Sequence, residues 1–373
     1  MLLKYIGCVL ICSFGAFTHP AFGQGDFYVS LHREYNTNPF RLPYTETTWL
    51  SLAGFGIEHY FAESFIAGYQ GKYAHFDNIG SRSFYWHQGY LRGGSEELGW
   101  GLLGEQRINS ELYNVFDYTT FGGFAGGRTA VSEFILRYSA NAAVNTFSNY
   151  EELNNKKLWG ILQLSRTFPS KTTVITGSTI NYKRYDDPIV LADEMAPMPR
   201  YYRRQTDGLS VTQLVLSARI AQSITPTTGL AGQYHFRSVL TGLNRTVTDY
   251  LFNGIIESEM FDDPMAYEGH TFGAEFTQLL PWGIIGRAAY YRHTRNFPAE
   301  GIFTDAETYN DLIMRKDTFV TGWLTLQKYI GINSDNSAFL VFSLNFQWID
   351  NASNSYWFDY TNRNTFLNID LHF

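Results

Sequence analysis

The clearest pattern lies at the end of the chain. Thr365, Leu367, Ile369, Leu371 and Phe373 alternate with Phe366, Asn368, Asp370 and His372. That is a period of two, apolar on one side and mostly polar on the other, as in a half-buried strand. The segment before it repeats the pattern. Ala338, Leu340, Phe342, Leu344, Phe346 and Trp348 share one side, and Ser343, Asn345 and Gln347 share the other. Further back, Leu214, Leu216, Ala218 and Ile220 oppose Gln213, Ser217 and Arg219, and Phe134, Leu136, Tyr138 and Ala140 oppose Glu133, Arg137, Ser139 and Asn141. Each run is about ten residues or slightly more, the length of a tilted membrane-crossing strand.

The connections alternate as well. Short ones are expected near Phe61–Ser64, Gly93–Glu97, Gly126–Ala130, Pro169–Lys171, Ser223–Thr227, Leu280–Gly283 and Gly331–Ser337. Longer ones are expected near Asn36–Thr47, Phe147–Lys156, Asp186–Thr206, Thr241–Ala266, Asn296–Arg315 and Asp350–Arg363. Short turns at one end and long loops at the other predict an all-β, up-and-down antiparallel transmembrane barrel of about 16 strands (roughly 14–18), with both termini in the periplasm. Closure follows from physics, because lipid offers no partner to an unpaired backbone N–H or C=O. Trp49, Trp100, Trp282, Trp348 and Tyr182 are candidates for the interfacial aromatic girdles.

Composition narrows the class further. The 373 residues are 17% aromatic and only 17% charged, against about 25% charge in an ordinary soluble domain. Mean hydropathy is −0.21, too polar for a bundle of membrane helices. A net charge of −7 excludes a strong nucleic-acid footprint. The chain opens with Lys4, a short apolar run from Tyr5 to Phe17, and Ala21-Phe22-Gly23. This predicts a cleaved signal peptide over 1–23 and a single barrel domain over 24–373. Cys8 and Cys12 both fall in that leader, so no disulfide framework is expected.

Taken together, these residues resemble a Gram-negative outer-membrane β-barrel, porin-like in kind. In that family an alternating last strand ending on an aromatic is read by the barrel-assembly machinery, which the resemblance carries over to Leu367, Ile369, Leu371 and Phe373. Ser353-Asn354, Phe358-Asp359-Tyr360 and Arg363 are similar to the end of the barrels of surface-lipoprotein assembly modifiers and exopolysaccharide exporters. No solenoid pattern precedes the barrel pattern here. The resemblance implies outer-membrane lipid and lipopolysaccharide as surroundings, and leaves room for a periplasmic or surface protein partner.

The polar sides of the strands carry the candidate chemistry. Alternation points Lys72, Arg137, Lys183, Arg219, Arg237, Arg287 and Arg295 into the lumen, with His235, His293, Glu105, Glu133, Glu275 and Asp370. An Arg or Lys facing lipid at mid-depth costs about 2–4 kcal/mol, so inward placement is forced if the barrel is right. One reading is a cation-lined path favouring anionic solutes; the other is a set of structural ion pairs. The long loops add Arg200, Arg203 and Arg204 beside Tyr201 and Tyr202, and Glu257, Glu259, Asp262 and Asp263. The latter lack the regular spacing of a calcium loop. Gly99-Trp100-Gly101-Leu102-Leu103-Gly104 matches the dinucleotide glycine pattern, but in a segment that reads as strand. No cofactor or metal is expected. The function expected is a passive channel for small solutes, anionic ones among them. The alternatives are a scaffold or export component of a secretion, surface-assembly or electron-transfer complex with a filled lumen, or, third, an enzyme using His293, Asp186, Asp187 and Ser178.

Overall fold

The computed structural model describes residues 25–39, 41–62, 64–78, 80–110, 113–114, 117–149, 151, 154–186, 210–242, 264–334 and 337–373. The expected leader lies outside them, as do Asp187, the loop cations Arg200, Arg203 and Arg204 with Tyr201 and Tyr202, and the acids Glu257, Glu259, Asp262 and Asp263.

Sixteen strands form one closed antiparallel barrel. In chain order they are β1 (Gly25–Asn36), β2 (Thr48–Ala62), β3 (Phe65–Phe76), β4 (Phe84–Gly94), β5 (Gly99–Asn109), β6 (Tyr118–Val131), β7 (Phe134–Phe147), β8 (Asn155–Thr167), β9 (Thr172–Tyr185), β10 (Ser210–Thr225), β11 (Thr228–Thr241), β12 (Glu268–Leu280) and β13 (Ile284–Asn296), then β16 (Lys316–Gly331), β17 (Phe339–Ser353) and β18 (Tyr360–His372). A two-stranded hairpin, β14 (Ile302–Phe303) and β15 (Tyr309–Asn310), sits in the loop between β13 and β16. Each barrel strand pairs with its neighbours in sequence, and β18 closes on β1 from Tyr28 opposite His372 to Asn36 opposite Asn364. At that seam the amide of Phe27 donates to the carbonyl of Phe373 (3.3 Å) and the amide of Phe373 to that of Phe27 (2.9 Å).

Residues directly opposite each other across a ladder share a face, so one face can be followed strand by strand around the barrel. Asp370 opposes Ser30, Ser30 opposes Gly54, Gly54 opposes Lys72, and Lys72 opposes Trp86. Continued through all sixteen strands, the polar face returns to Asp370 without a change of parity. The other face carries the exposed apolar side chains, among them Phe55, Leu102, Phe121, Leu162, Ile180, Ile220, Phe272, Phe346 and Leu367. Only that face suits lipid, so the polar face is the lumen.

All tight turns lie at the end that carries the termini, and all long connections lie at the opposite end. Two details differ from the sequence reading. The expected turn at Gly126–Ala130 is strand, because β6 continues to Val131 and the chain reverses at Ser132, whose φ is 55°. Gly127 answers to sterics instead: a Cβ there would stand 2.0 Å from the carbonyl oxygen of Glu97 in the neighbouring turn. The expected long loop over Asp350–Arg363 is only the stretch between Ser353 and Tyr360, since β17 and β18 extend into it.

At the loop end three connections interlock. Leu42, Phe303, Trp357 and Phe358 form a buried apolar cluster. Beside it the Arg315 guanidinium donates to Asp317 (3.0 Å) and Glu300 (3.1 Å) and lies between the rings of Phe297 (4.0 Å) and Phe358 (3.3 Å). Asn38 donates to the carbonyls of Leu42 (2.7 Å) and Thr361 (3.0 Å), tying the first loop to the last strand. Removing one partner of a buried ion pair costs about 3–5 kcal/mol, because the other charge stays buried. Arg315→Ala is therefore expected to lower the temperature at which the barrel loses its fast unheated mobility on a gel, and to open residues 297–315 to protease.

Candidate functional site: the barrel interior

The lumen wall is built by alternation, so each lining side chain is placed by its strand and register. The structure puts Lys72, Glu105, Arg137, Lys183, Arg219, His235, Arg237, Glu275, Arg287, His293, Arg295 and Asp370 on the lumen face. Glu133 stands elsewhere. It occupies the turn between β6 and β7 and ion-pairs with Arg166 of β8, whose register is outward. The sequence reading also passed over lining cations at Arg92, Arg107, Arg128 and Lys157. Their strands alternate less cleanly, and glycines break up the apolar face that would have revealed them.

These charges are not spread evenly. Among the described residues, the half of the wall from β6 to β13 carries Arg128, Arg137, Lys157, Lys183, Arg219, Arg237, Arg287 and Arg295, with Glu275 as its one carboxylate. On β16, β17, β18 and β1 the lumen face has no Lys or Arg. It presents the acids Asp317, Asp370, Asp26 and Glu34 and the uncharged amides Gln327, Asn345, Gln347, Asn364 and Asn368. The lumen therefore has a basic half from β6 to β13, an amide-rich, weakly acidic quarter from β16 to β1, and between them β2 to β5, where Lys72, Arg92 and Arg107 stand with Glu58 and Glu105.

Neutralisation within the wall is partial. Arg219 bonds Glu275 at 2.7 Å, and the Tyr291 hydroxyl donates to the same carboxylate. Arg237 donates to the carbonyl of Pro264 (2.6 Å) and stacks on Tyr267 (4.8 Å). Arg295 lies over Phe319 (4.1 Å) and Lys72 over Trp86 (5.4 Å). Among the described residues Arg137 reaches only the amide oxygen of Gln163, at 3.4 Å. Arg287 is exposed and has no hydrogen bond or ion pair among the described residues. Several carboxylates, by contrast, are capped by tyrosine: Tyr118 donates to Glu105 (2.6 Å), Tyr60 to Asp26 (2.7 Å), and Tyr90 to Glu58. A polar ladder of Tyr28, Gln70, Gln88, Glu105 and Tyr118 runs along the wall from β1 to β6. These hydroxyls occupy acid lone pairs and leave the basic half dominant.

Several lining rings lie flat against the wall because a neighbouring strand offers glycine beneath them. A Cβ on Gly56 would stand 2.2 Å from the Tyr28 ring, one on Gly68 2.2 Å from Tyr90, and one on Gly273 2.5 Å from Tyr291. The same packing occurs outside, where the Trp348 ring covers Gly322.

Other candidates are not assembled. Ser178 pairs with Leu162 and Leu216 on the outward face of β9, whereas His293 is on the lumen face of β13, so the constellation of Ser178 and His293 does not form. Asp186 lies at the loop end and bonds Lys156 (2.8 Å). The run from Gly99 to Gly104 is β5, which leads into another strand and not a helix. Among the described residues no group of His, Cys, Asp and Glu could hold a metal ion. Trp49, Trp100, Trp348 and Tyr182 are outward, while Trp282 is in a turn and 84% exposed. At the loop-end rim, hydrogen bonds from Arg33 hold the Asp77 carboxyl below its usual range.

No protein-family model and no curated protein sequence matches the chain. Among solved structures, the barrel is similar to OccAB3 of Acinetobacter baumannii, with a TM-score of 0.52 at 9% identity over 94% of this chain and 98% of the other. OccD1 (OprD) gives 0.49 at 8% identity over 94% and 96%. A bacterial polysaccharide outer membrane secretin gives 0.48 at 5% identity over 95% and 99%. The likeness to OccAB3 is one of fold: both chains are closed β-barrels, and in this chain the barrel has sixteen strands.

Glu275→Gln removes the one carboxylate on the basic half and frees Arg219. The variant is expected to raise the preference for anions, read as a shift of the zero-current potential in a salt gradient, while Tyr291→Phe leaves the sign of that preference unchanged.

Proposed function

We propose that the protein is an outer-membrane channel through which small solutes diffuse passively, with anions favoured. The observation that carries this reading is the charge pattern of the lumen: a basic half-wall from β6 to β13 holding one carboxylate, with no Lys or Arg among the described residues on the lumen face of β16, β17, β18 and β1. In a water-filled lumen with low-dielectric walls such a pattern raises the local concentration of anions and slows cations. The exposed Arg287 and the weakly engaged Arg137 are the side chains freest to attract a carboxylate or phosphate, and Arg219, Arg237, Arg295, Lys72 and Lys183 supply the background potential. A closed barrel of sixteen strands is wide enough to hold an aqueous lumen, which supports a channel. The apolar outer face supports membrane residence, with the turn end and both termini in the periplasm and the loops outside. The barrel-assembly machinery is the partner this reading requires, with Leu367, Ile369, Leu371 and Phe373 as the signal it reads. No catalytic step is part of the reading.

Single-channel recording of the folded protein in a planar bilayer tests it. Steady conductance steps are expected, with a zero-current potential of the sign for anion preference in a salt gradient. Arg287→Glu replaces an unpaired lining cation by an anion and is expected to weaken that preference at nearly unchanged conductance. A correctly folded barrel that conducts nothing overturns the proposal in favour of a filled lumen and a scaffold or export role.

A further inference from the structure

The outer surface carries one arrangement that lumen chemistry does not explain. On β8 and β9, Lys156 stands directly opposite Arg184, and both point outward. Like charges directly opposite on paired strands repel. One register step below, on the inward face, Lys157 opposes Lys183, so four cations occupy two successive rows. Asp186 bonds Lys156 at 2.8 Å. Arg184 is exposed and has no acidic partner among the described residues. No other cross-strand pair of outward cations occurs among the described residues of the barrel.

Depth matters here. Immediately below the pair, on the same outward face, come Tyr182 and Leu158, then Ile180, then Leu162, and those apolar side chains are exposed. Lys156 and Arg184 therefore sit just beyond the apolar band, above an aromatic residue, at the loop end of the wall. That is the level at which a bilayer places its phosphates. Asp186 answers Lys156 and leaves Arg184 without an anion among the described residues; a dianionic phosphate at the pair supplies one, and the guanidinium of Arg184 presents a fork that suits it.

We propose that Lys156 and Arg184 form a binding site for the phosphate monoester of a membrane lipid in the outer leaflet. The proposal rests on the outer-membrane orientation argued above, but not on the channel being open. The site holds a lipid against the β8–β9 wall and offsets the repulsion within the cation cluster.

The test uses the full-length folded barrel in neutral detergent and native mass spectrometry, with three probes: bisphosphorylated lipid A, the same lipid after enzymatic dephosphorylation, and inorganic phosphate. The expected result is retention of the phosphorylated lipid by the parent protein and at least about tenfold weaker retention by the variant carrying both Lys156→Gln and Arg184→Gln, the loss expected when charge-assisted contacts are removed. Lys171→Gln, which removes a cation from a turn at the other end, is expected to change nothing. Equal retention of the phosphorylated and dephosphorylated lipids, or full retention by the double variant, overturns the site. Displacement of the lipid by an equimolar amount of inorganic phosphate also overturns it and indicates a site for free anions. Unheated gel mobility and planar-bilayer conductance of the double variant are expected to match the parent, so loss of lipid binding is separable from failure to fold and from failure of the channel reading.

Discussion

A chain that crosses lipid as β-structure cannot leave a strand edge open, and the rest of this structure depends on that constraint. Each unpaired backbone group in hydrocarbon costs several kcal/mol, so the first and last strands must meet. Here they meet along a continuous ladder between β1 and β18, ended by reciprocal bonds between Phe27 and Phe373. Closure then fixes parity. Once one side chain on one strand faces lipid, hydrogen-bond register dictates the side of every other, and the polar face returns to itself after sixteen strands. The lumen chemistry is a consequence of that bookkeeping.

Parity was legible in the sequence wherever the outward side chains are large and the inward ones polar. In β7, β10, β17 and β18 Leu, Phe and Ile alternate with Asn, Gln, Ser and Arg, and the period needs no structure to be seen. It was obscure in β2 to β6 for a physical reason. There Leu50 and Leu52 face inward, His87 and Gln106 face outward, and glycines stand on both sides, so hydrophobicity no longer reports direction. Gly126 and Gly127 read as a turn because glycine serves both tight turns and close backbone approaches, and only the neighbouring turn at Glu97 distinguishes them. The interlock around Arg315 was not legible, because Glu300, Phe297, Asp317 and Phe358 come from segments whose proximity exists only after closure.

The lumen cations found in the sequence fall mostly on one half of the wall, a fact that residue numbers do not display. Alternation says inward or outward but not where around the circumference. The sequential order of strands in an up-and-down barrel supplies the missing coordinate: residues near in sequence are near in azimuth. A long stretch of chain that keeps adding cations on the same parity, from Arg128 to Arg295, therefore becomes a contiguous basic surface. The tyrosine hydroxyls on Glu58, Glu105 and Glu275 sharpen the contrast, since a capped carboxylate has fewer lone pairs to offer a passing cation.

The tyrosines folded over glycines have a consequence for how such a protein can change over generations. The ring of Tyr90 stays against the wall only because Gly68 has no side chain, and Tyr291 depends in the same way on Gly273. The width of the passage is thus inherited at positions that never touch a solute, while its charge is inherited at the arginines and lysines. A lineage that exchanges one of these glycines for alanine alters the sieve and leaves the electrostatics alone, and one that exchanges an arginine does the reverse. On the channel reading, size limit and charge preference are then separate heritable traits, free to drift or be selected independently.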